Sequence, residues 1–440
     1  MYKTILAAAL LIGLVNVQGV RAQPLRIDIE GADFRPYPIA APDAVILAGK
    51  SQGSNKLVDD ITRTLQDDVD LARALSLVPP KSYLSTAKEP WNAPNYANWM
   101  NVGASGLIRC AVEVRDTSLK MSFRFFNVVS QREDFFRSFE APLAEPELAI
   151  HRFLDELIAH LTGEPGVFSS RLAFIKRTKG GKALFVSQID GRNMKRMTPT
   201  DALTLLPAWD RSGGFLLFTS YLKGNPDLYR LNLADNNLEW LSNKRGLNTG
   251  AAVSPDGKKI ALTLSLDGNT EIYVMDWQGK NLSRLTDSWG ADVSPTWSPD
   301  GKRIAFVSSR SGQPHIYVMG ADGSNPQRLT FQGTYNQEPH WSPRADGQIA
   351  FTARDEFLKY DIFLVDPATK VLTRLTQDEG DNESPRFSPD GQQLVFTSTR
   401  PPRRGKKIYI MDVDGHNQRR VSKVPGDYET PAWGPRRPWK

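Results

Sequence analysis

The chain has 440 residues with 55 basic and 49 acidic side chains, a formal net charge of +6. This length exceeds one ordinary domain and favours two or three. A hydrophobic content of 40% is enough for buried cores, which excludes a wholly disordered chain. A single cysteine, Cys110, excludes an intrachain disulfide and a cysteine-based zinc site. The small net charge gives no indication of nucleic-acid binding.

The first residues have the pattern of an export signal. Lys3 precedes an apolar run from Ile5 to Val15, and the short side chains of Val20 and Ala22 suit signal peptidase. We therefore predict a signal peptide over residues 1–22, with a retained N-terminal anchor as the alternative, although the run is short for a membrane span. The mature chain is expected to be soluble outside the cytoplasm, with 53 basic and 49 acidic side chains on 418 residues.

Residues 23–165 are predicted to form a small α/β domain. Two segments have near-helical apolar spacing, Lys56–Leu75 and Glu145–Leu161, and the second ends at Thr162-Gly163, a common helix C-terminus. Two helices over a small mixed sheet is the simplest arrangement, with a domain boundary near Gly163–Ser170. The predicted strands or short apolar runs are Leu25–Ile29, Ala44–Leu47, Gly106–Val114 and Lys120–Val129.

Residues 166–440 contain a repeat. A pair of the Leu-Thr type recurs at spacings of 44, 44, 44, 46 and 46 residues, and a mostly aromatic position recurs at the same five spacings. Two series in one phase indicate six units. The pairs are Met197-Thr198, Leu241-Ser242, Leu285-Thr286, Leu329-Thr330, Leu375-Thr376 and Val421-Ser422. The second series is Trp209, Val253, Trp297, Trp341, Phe387 and Trp433.

Each unit offers four short apolar segments that are separated by turns. Ser254-Pro255-Asp256-Gly257 and its recurrences have the composition of tight turns, and Asp-Gly pairs such as Asp322-Gly323 indicate hairpins. Four strands in about 40–45 residues predict a β-propeller blade, with a solenoid as the alternative. The first unit lacks the inner strand that should precede Leu172, and Glu429–Pro435 after the last unit resembles it. The ring is therefore expected to close through its C-terminal strand. The predicted fold class is a small N-terminal α/β domain followed by a six-bladed all-β propeller.

No catalytic constellation is present in the sequence. Gly49-Lys50-Ser51 follows a strand-like run, but a phosphate-binding loop needs glycine where Ala44 stands. There is no G-x-S-x-G nucleophile elbow. The five histidines form no close pair, and His151 and His160 are nine residues apart on a predicted helix. We predict no catalytic residues, no metal ligands and no cofactor.

Polar residues should gather around one end of the propeller channel. In an up-and-down blade, the fourth-to-first and second-to-third connections emerge on the same face, which we call the mouth. It is interpreted as a binding site for a partner or a cation, with simple solvation of loop tips as the alternative. A basic run, Arg400–Lys407, should project from the sixth blade as a solvated hairpin tip or as a contact for anionic lipid or an acidic partner. The mouth residues are Leu247, Gly250, Asp292, Val293, Gln337, Glu338, Asn382, Glu383, Tyr428 and Glu429.

The combination of export signal, α/β domain and W-S-P-D-G propeller resembles the TolB family of the Tol–Pal cell-envelope system. The resemblance covers the whole chain, including Ile27–Pro42 and the junction Leu161–Phe168. It implies a periplasmic adaptor and no enzyme. It also implies binding of the lipoprotein Pal at the mouth, where Leu247, Gly250, Val293 and Glu338 take the family's positions.

The resemblance further implies that the mature N-terminal strand, Gln23 to Arg35, contacts the C-terminal domain of TolA. Pal binding would tuck this strand away and Pal release would recruit TolA. The implied role is support of outer-membrane integrity and of envelope constriction during cell division, by a monomer that reaches the membrane through Pal and that could contact other outer-membrane proteins. The side chains predicted for TolA are Gln23, Leu25, Ile27, Ile29, Phe34 and Arg35.

The third unit departs from the family pattern. Gly250-Ala251-Ala252-Val253 stands where relatives commonly have a proline-containing stretch and an aromatic residue, and Leu247 replaces a frequent histidine. The rival interpretation is an exported propeller enzyme of lactonase or lyase type with a metal in its channel. A third, a prolyl-peptidase-like propeller, lacks a catalytic domain after Trp433.

Overall fold

The computed structural model describes residues 35–49, 54–84, 89–198, 202–345, 347–377, 379–401 and 405–438. The predicted signal peptide, the predicted strand Leu25–Ile29 and the segment from Gln23 to Phe34 lie outside these residues. The described part consists of an α/β domain and a six-bladed β-propeller, so the predicted fold class is confirmed. No helix in the described ranges combines the length and the apolar character that crossing a membrane requires.

The α/β domain is built on a mixed sheet. Its strand order is β3-β1-β4-β5-β6, and β2 pairs with β4. The pairs of β1 with β3 and β4 and of β2 with β4 are parallel, whereas β4, β5 and β6 form an antiparallel meander. The strands are β1 (Tyr37–Ala40), β2 (Val45–Ala48), β3 (Leu75–Leu77), β4 (Gly106–Val114), β5 (Ser118–Asn127) and β6 (Arg132–Pro142).

Two long helices cover one face of this sheet. They are α1 (Ser54–Leu71) and α3 (Glu147–Thr162), with the short α2 (Tyr96–Asn101) and a 3-10 turn, Pro80–Ser82, on the connection between them. Apolar side chains at helical spacing face the sheet, and the rings of Phe153 and Phe123 stack 4.6 Å apart. α3 ends at Gly163, whose φ of 88° is left-handed and suits glycine. Cys110 is buried in this core.

The propeller has six four-stranded antiparallel blades, each ordered from the inner to the outer strand. Blade 1 contains β7 (Arg171–Arg177), β8 (Lys182–Gln188) and β9 (Lys195–Arg196), with its inner strand supplied from the end of the chain. Blades 2 and 3 contain β10 (Thr204–Trp209), β11 (Phe215–Ser220), β12 (Asp227–Asn232), β13 (Leu238–Ser242), β14 (Asn248–Val253), β15 (Lys259–Leu264), β16 (Glu271–Asp276) and β17 (Ser283–Arg284). Blade 4 contains β18 (Asp292–Trp297), β19 (Arg303–Ser308), β20 (His315–Gly320) and β21 (Gln327–Arg328). Blades 5 and 6 contain β22 (Asn336–Trp341), β23 (Ile349–Arg354), β24 (Tyr360–Val365), β25 (Leu372–Arg374), β26 (Asn382–Phe387), β27 (Gln393–Ser398), β28 (Lys407–Asp412) and β29 (Arg419–Arg420).

The recurring threonine or serine after the outer strand ties that strand to its neighbour. The hydroxyl oxygens of Thr286, Thr330 and Thr376 each accept a hydrogen bond of 2.9–3.0 Å from a backbone N–H at the start of the third strand. Because this bond satisfies a buried amide, the residue is constrained in every unit where it occurs. The repeat seen in the sequence is therefore a hydrogen-bonding repeat as well as a hydrophobic one.

The ring closes as the sequence predicts. The last strand, β30 (Tyr428–Trp433), is the inner strand of blade 1 and pairs antiparallel with β7, from Tyr428 opposite Lys176 to Trp433 opposite Leu172. The indole Nε1 of Trp433 donates to Ser170 Oγ at 2.8 Å, and Arg436 Nε donates to the carbonyl of Gly166 at 2.7 Å. The closing strand thus ends against the linker between the two domains.

The α/β domain packs on blades 1 and 6, largely at the end opposite to the mouth. Arg419 pairs with Asp70 at 2.9 Å, and Gln393 Nε2 donates to the carbonyl of Leu71 at 3.1 Å. One apolar core includes residues of both domains, such as Phe168 with Leu172 and Tyr428. The mouth is therefore left for other contacts.

Candidate functional site

All six inner strands share a bulge where they line the channel. In β10, for example, Leu206 and Pro207 lie opposite one residue of β11, between the pairs Leu205–Thr219 and Ala208–Leu217. The third residue of every inner strand has positive φ, which is uncommon for residues other than glycine and costs energy. Such bulges redirect side chains and are frequent at functional sites. The six residues and their φ values are Leu206 (51°), Gly250 (63°), Ser294 (57°), Glu338 (55°), Ser384 (58°) and Thr430 (43°).

The channel encloses a cavity of about 340 Å³ that residues of all six inner strands line. On its mouth side, the Glu338 carboxylate accepts hydrogen bonds from Ser384 N at 2.9 Å and from Thr352 Oγ1 at 3.1 Å. Towards the other end, basic side chains enter the channel wall, namely Arg211, His340 and Arg386. The predicted mouth residues Gly250 and Glu338 therefore lie on the channel wall.

Several predicted mouth side chains are buried and hold the connections to the inner strands. Asp292 is fully buried and pairs with Arg310 at 2.6 Å, and Asn382 is fully buried and donates to Asp361 Oδ1 at 3.1 Å. Tyr428 is buried, and its hydroxyl donates to the carbonyl of Val424. In this structure, Asp292, Asn382 and Tyr428 do not offer their side chains to a partner.

The acidic residues next to them are neutralised within the propeller. Glu383 pairs with Lys406, and Glu429 pairs with Lys182 and lies 3.8 Å from Arg177. Burial raises the pKa of Glu383, against the attraction of Lys406. Three of the four predicted mouth acids, Asp292, Glu383 and Glu429, are therefore in ion pairs. The fourth, Glu338, is hydrogen-bonded to Ser384 and Thr352. Val293 and Gln337 are half-buried beside them.

The mouth exposes many large hydrophobic side chains, which were not predicted from the sequence. Eleven large hydrophobic side chains are exposed on the described part of the propeller, and nine of them lie in the second-to-third or fourth-to-first connections. Trp289 is 77% exposed and Phe357 is 72% exposed. Alignment of the connections between blades could have revealed this set. The nine are Leu203, Tyr221, Leu247, Leu266, Trp289, Phe331, Phe357, Leu358 and Val424, and we call them the apolar rim.

Of the N-terminal residues predicted for TolA, the structure describes Arg35, which is exposed two residues before the start of β1. Gln23, Leu25, Ile27, Ile29 and Phe34 lie outside the described residues. The basic run is described at Arg400 and Pro401 and again from Gly405 to Lys407. Arg400 Nη2 donates to Asn382 Oδ1 at 2.9 Å, and Lys407 is buried, so these ends of the run are structural.

A separate buried cluster lies between the domains. His151 Nε2 on α3 is 3.1 Å from Asp68 Oδ2 on α1 and 3.8 Å from Asp190 Oδ2 in blade 1. Burial alone would lower the pKa of His151, but the two carboxylates raise it from 6.5 to about 10. Burial also opposes ionisation of Asp190, yet His151 and Arg192 hold the pKa of Asp190 well below its ordinary value. Of the described residues, these three form a group that could hold a metal ion. The pKa directions of His151 and Asp190 favour a protonated histidine beside an ionised Asp190, whereas burial raises the pKa of Asp68 against the attraction of His151.

Two family profiles match the chain. The TolB amino-terminal domain matches residues 25–133, and the TolB beta propeller domain matches residues 158–437, which is more than half of the chain. The chain belongs to the TolB family. The family resemblance seen in the sequence is therefore confirmed.

Individual relatives agree with this assignment. The Tol-Pal system protein TolB of Myxococcus xanthus (strain DK1622) is 40% identical over 207 residues, 47% of each chain. That of Desulfosudis oleivorans (strain DSM 6200 / JCM 39069 / Hxd3) is 36% identical over 249 residues, 56% of each chain. In these matches the chain spans about half the length of the curated relatives. The crystal structure of TolB from Acinetobacter baumannii has a TM-score of 0.77 and 25% identity, covering 91% of this chain and 97% of that one.

Proposed function

We propose that this chain is a periplasmic adaptor of the Tol–Pal envelope system that binds proteins and catalyses no reaction. Relatives such as that of Myxococcus xanthus are named Tol-Pal system protein TolB, which supports the proposal that this chain acts in the same system. The apolar rim is the observation that carries the proposal, because exposed apolar patches on soluble proteins mark interaction surfaces. Aromatic side chains such as Trp289 and Phe357 are also the residue types that dominate binding energy at interfaces.

In this proposal the mouth binds Pal and the mature N-terminus binds TolA. The protein associates with the membrane through Pal, supports outer-membrane integrity and envelope constriction during division, acts as a monomer and contacts other outer-membrane proteins. Leu247 belongs to the apolar rim and is 36% exposed, which suits a direct contact. Gly250 and Glu338 support the rim from the channel wall, and the half-buried Val293 and Gln337 support it from the inner strands. The other predicted residues act by holding the connections in place, namely Asp292, Asn382, Glu383, Tyr428 and Glu429.

The test replaces rim aromatics and measures Pal affinity by calorimetry. Trp289→Ser and Phe357→Ser are each expected to weaken binding by about 30-fold, since truncating an interfacial aromatic anchor costs roughly 2 kcal/mol or more. Trp240→Ser is the matched control, because Trp240 is 49% exposed but lies on the outer strand β13. Unchanged Pal affinity in both rim variants would refute the proposal that Pal binds at the mouth. Reversing the charge of Glu338 is a poorer test, because its carboxylate holds Ser384.

The proposed division of labour has its own test. Deleting residues 23–35 from the exported protein is expected to abolish capture of the TolA C-terminal domain and to spare Pal binding. An extended segment that pairs with a partner's sheet edge can act in this way. Equal loss of both partners in pull-downs would refute separate sites.

The alternative function is an exported propeller enzyme of lactonase or lyase type with a metal in its channel. The described channel residues favour the adaptor, because the basic side chains of Arg211 and Arg386 lie there and the carboxylate of Glu338 is engaged by Ser384 and Thr352. Hard cations prefer several oxygen ligands. Metal-dependent hydrolysis by the purified protein would reverse this preference.

A further inference from the structure

The channel wall carries positive charge at positions where the fold needs none. The fifth residue of the inner strand is small in blades 1 to 4, where it is Ala432, Ala208, Ala252 and Thr296. In blades 5 and 6 the same position holds His340 and Arg386. His340 and Arg386 are therefore the two basic residues at this position, and both line the channel cavity.

A second repeat position shows the same departure. Two residues beyond each inner strand the chain has proline in five blades, and these prolines border the cavity. In blade 2 the position holds Arg211, which also borders the cavity. Neither the strand pairing nor the turn requires a basic residue here. The five prolines are Pro255, Pro299, Pro343, Pro389 and Pro435.

Among the described residues, neither guanidinium group has a carboxylate as its ion-pair partner. Arg386 Nη1 donates to the carbonyl of Pro385 at 2.8 Å, and Arg211 Nε donates to the carbonyl of Ser254 at 3.3 Å. No carboxylate of the described residues lies within 4.0 Å of either group. The wall therefore presents two permanent positive charges and two carboxylates that are engaged elsewhere. Glu338 is hydrogen-bonded to Ser384 and Thr352, and Asp210 accepts from the backbone N–H groups of Ser212 and Phe215. Arg211 is exposed and Arg386 is half-buried, so both guanidinium groups are accessible to a dissolved anion.

His340 adds a neutral donor beside them. Its Nδ1 accepts a hydrogen bond from the backbone N–H of Phe387 at 3.1 Å. Burial, and then the charges of Arg386 and Arg211, lower the pKa of His340 well below its ordinary value. The ring is therefore neutral with its proton on Nε2, since Nδ1 is the acceptor. Arg211, Arg386 and His340 together offer the cavity hydrogen-bond donors, and two of these donor groups are charged.

We propose that the propeller channel binds a small oxyanion, a phosphate or a carboxylate, through Arg211, Arg386 and the Nε2–H of His340. The cavity of about 340 Å³ admits such an anion with its waters. Guanidinium groups present paired donors that match the geometry of both oxyanions. The anion supplies the two guanidinium groups with the charged acceptor that they lack.

The experiment titrates the full mature protein with inorganic phosphate and, separately, with acetate, in chloride buffer of constant ionic strength. Calorimetry and the shift in melting temperature measure binding. Arg386→Ala installs the residue that three other blades have at this position, and Arg211→Pro installs the residue of five other blades, so both variants are expected to fold. Arg245→Ala is the charge-matched control, because Arg245 is exposed outside the channel.

Saturable binding of either anion to the unmodified protein and to Arg245→Ala is expected. Each channel variant should weaken it by about tenfold or more, because a hydrogen bond to a charged group contributes about 1.5–3 kcal/mol. Binding of phosphate but not acetate would assign the site to phosphates, and binding of acetate but not phosphate would assign it to carboxylates. If Arg386→Ala does not fold, Arg386→Lys takes its place and should weaken binding through loss of the paired donors. Absence of saturable binding at millimolar anion, or equal affinity in the channel variants, would overturn the proposal.

Discussion

Replacing His151 by leucine tests whether the buried cluster joins the two domains. His151 is 1% exposed between the carboxylates of Asp68 and Asp190. Leucine would leave both carboxylates facing an apolar side chain, and only Asp190 retains a basic partner, Arg192. Removing one member of a buried ion pair costs about 3–5 kcal/mol. A pKa raised from 6.5 to about 10 gives a similar value, about 5 kcal/mol at 1.36 kcal/mol per unit.

The pH dependence distinguishes this charge from simple packing. The pKa of His151 is higher in the folded than in the unfolded chain, so its contribution is complete below about pH 6.5 and is lost as pH rises through about 10. Between those values the unmodified protein should lose about 1.4 kcal/mol of this contribution per pH unit. The His151→Leu variant should lack that slope. Asp68, Asp190, Arg192 and Asp155 are the other titratable groups at the site.

Urea unfolding at about pH 7 and 9 measures both effects. His160→Gln is the matched control, because His160 lies on the same helix but is only half-buried, against the ring of Phe135. The double variant His151→Leu with Asp68→Leu should recover part of the loss, because no unpaired carboxylate of Asp68 remains. A loss below about 1 kcal/mol, or an identical pH slope in His151→Leu, would refute the interpretation as a charged interdomain tie.

Two further predictions concern the closure of the ring and the linker. Ending the chain at Asp427 removes β30 and exposes the edge of β7. The cooperative melting transition, followed by circular dichroism, should therefore disappear. A melting curve like that of the full chain would contradict ring closure by β30. Asp155→Ala leaves the N–H groups of Phe168 and Ser169 without their acceptor, each 2.8 Å from the carboxylate, and should lower the free energy of unfolding by about 2 kcal/mol in urea. Asp155→Asn, which keeps one acceptor oxygen, is the control and should lose less; equal stability of the alanine variant would disprove the linker's dependence on Asp155.

The propeller could be predicted because each blade repeats the same short-range pattern. The Leu-Thr pair recurs at constant spacing because its hydroxyl accepts a hydrogen bond from a buried backbone amide. The aromatic position recurs because its side chain packs between neighbouring blades. The strand β6 was not predicted, because Arg132–Pro142 is an edge strand whose exposed charged residues mask its alternation. Helix α1 was placed close to its observed position, but its end at Leu71 precedes the predicted one.

The site was harder to predict, because its members meet only in three dimensions. Asp68, His151 and Asp190 come from three elements that are far apart in sequence, so spacing gives no signal. Three of the acids predicted for the mouth are paired with bases from second-to-third connections or the strands beside them, as Glu383 is with Lys406. Arg211 and Arg386 were visible in the sequence as departures from the repeat, but only the channel geometry gives them a common position.

The closing strand also determines when this protein can finish folding. β30 pairs with β7, so that Tyr428 lies opposite Lys176, and the first blade stays three-stranded until the last of its strands has been synthesised and exported. Contacts between residues so distant in sequence form slowly. The α/β domain has its own sheet and helices and needs no residue of β30 for them, so it can fold first. The linker that follows it then offers Ser170 and Gly166 as a docking point for Trp433 and Arg436, which makes the N-terminal domain and its linker a template for ring closure.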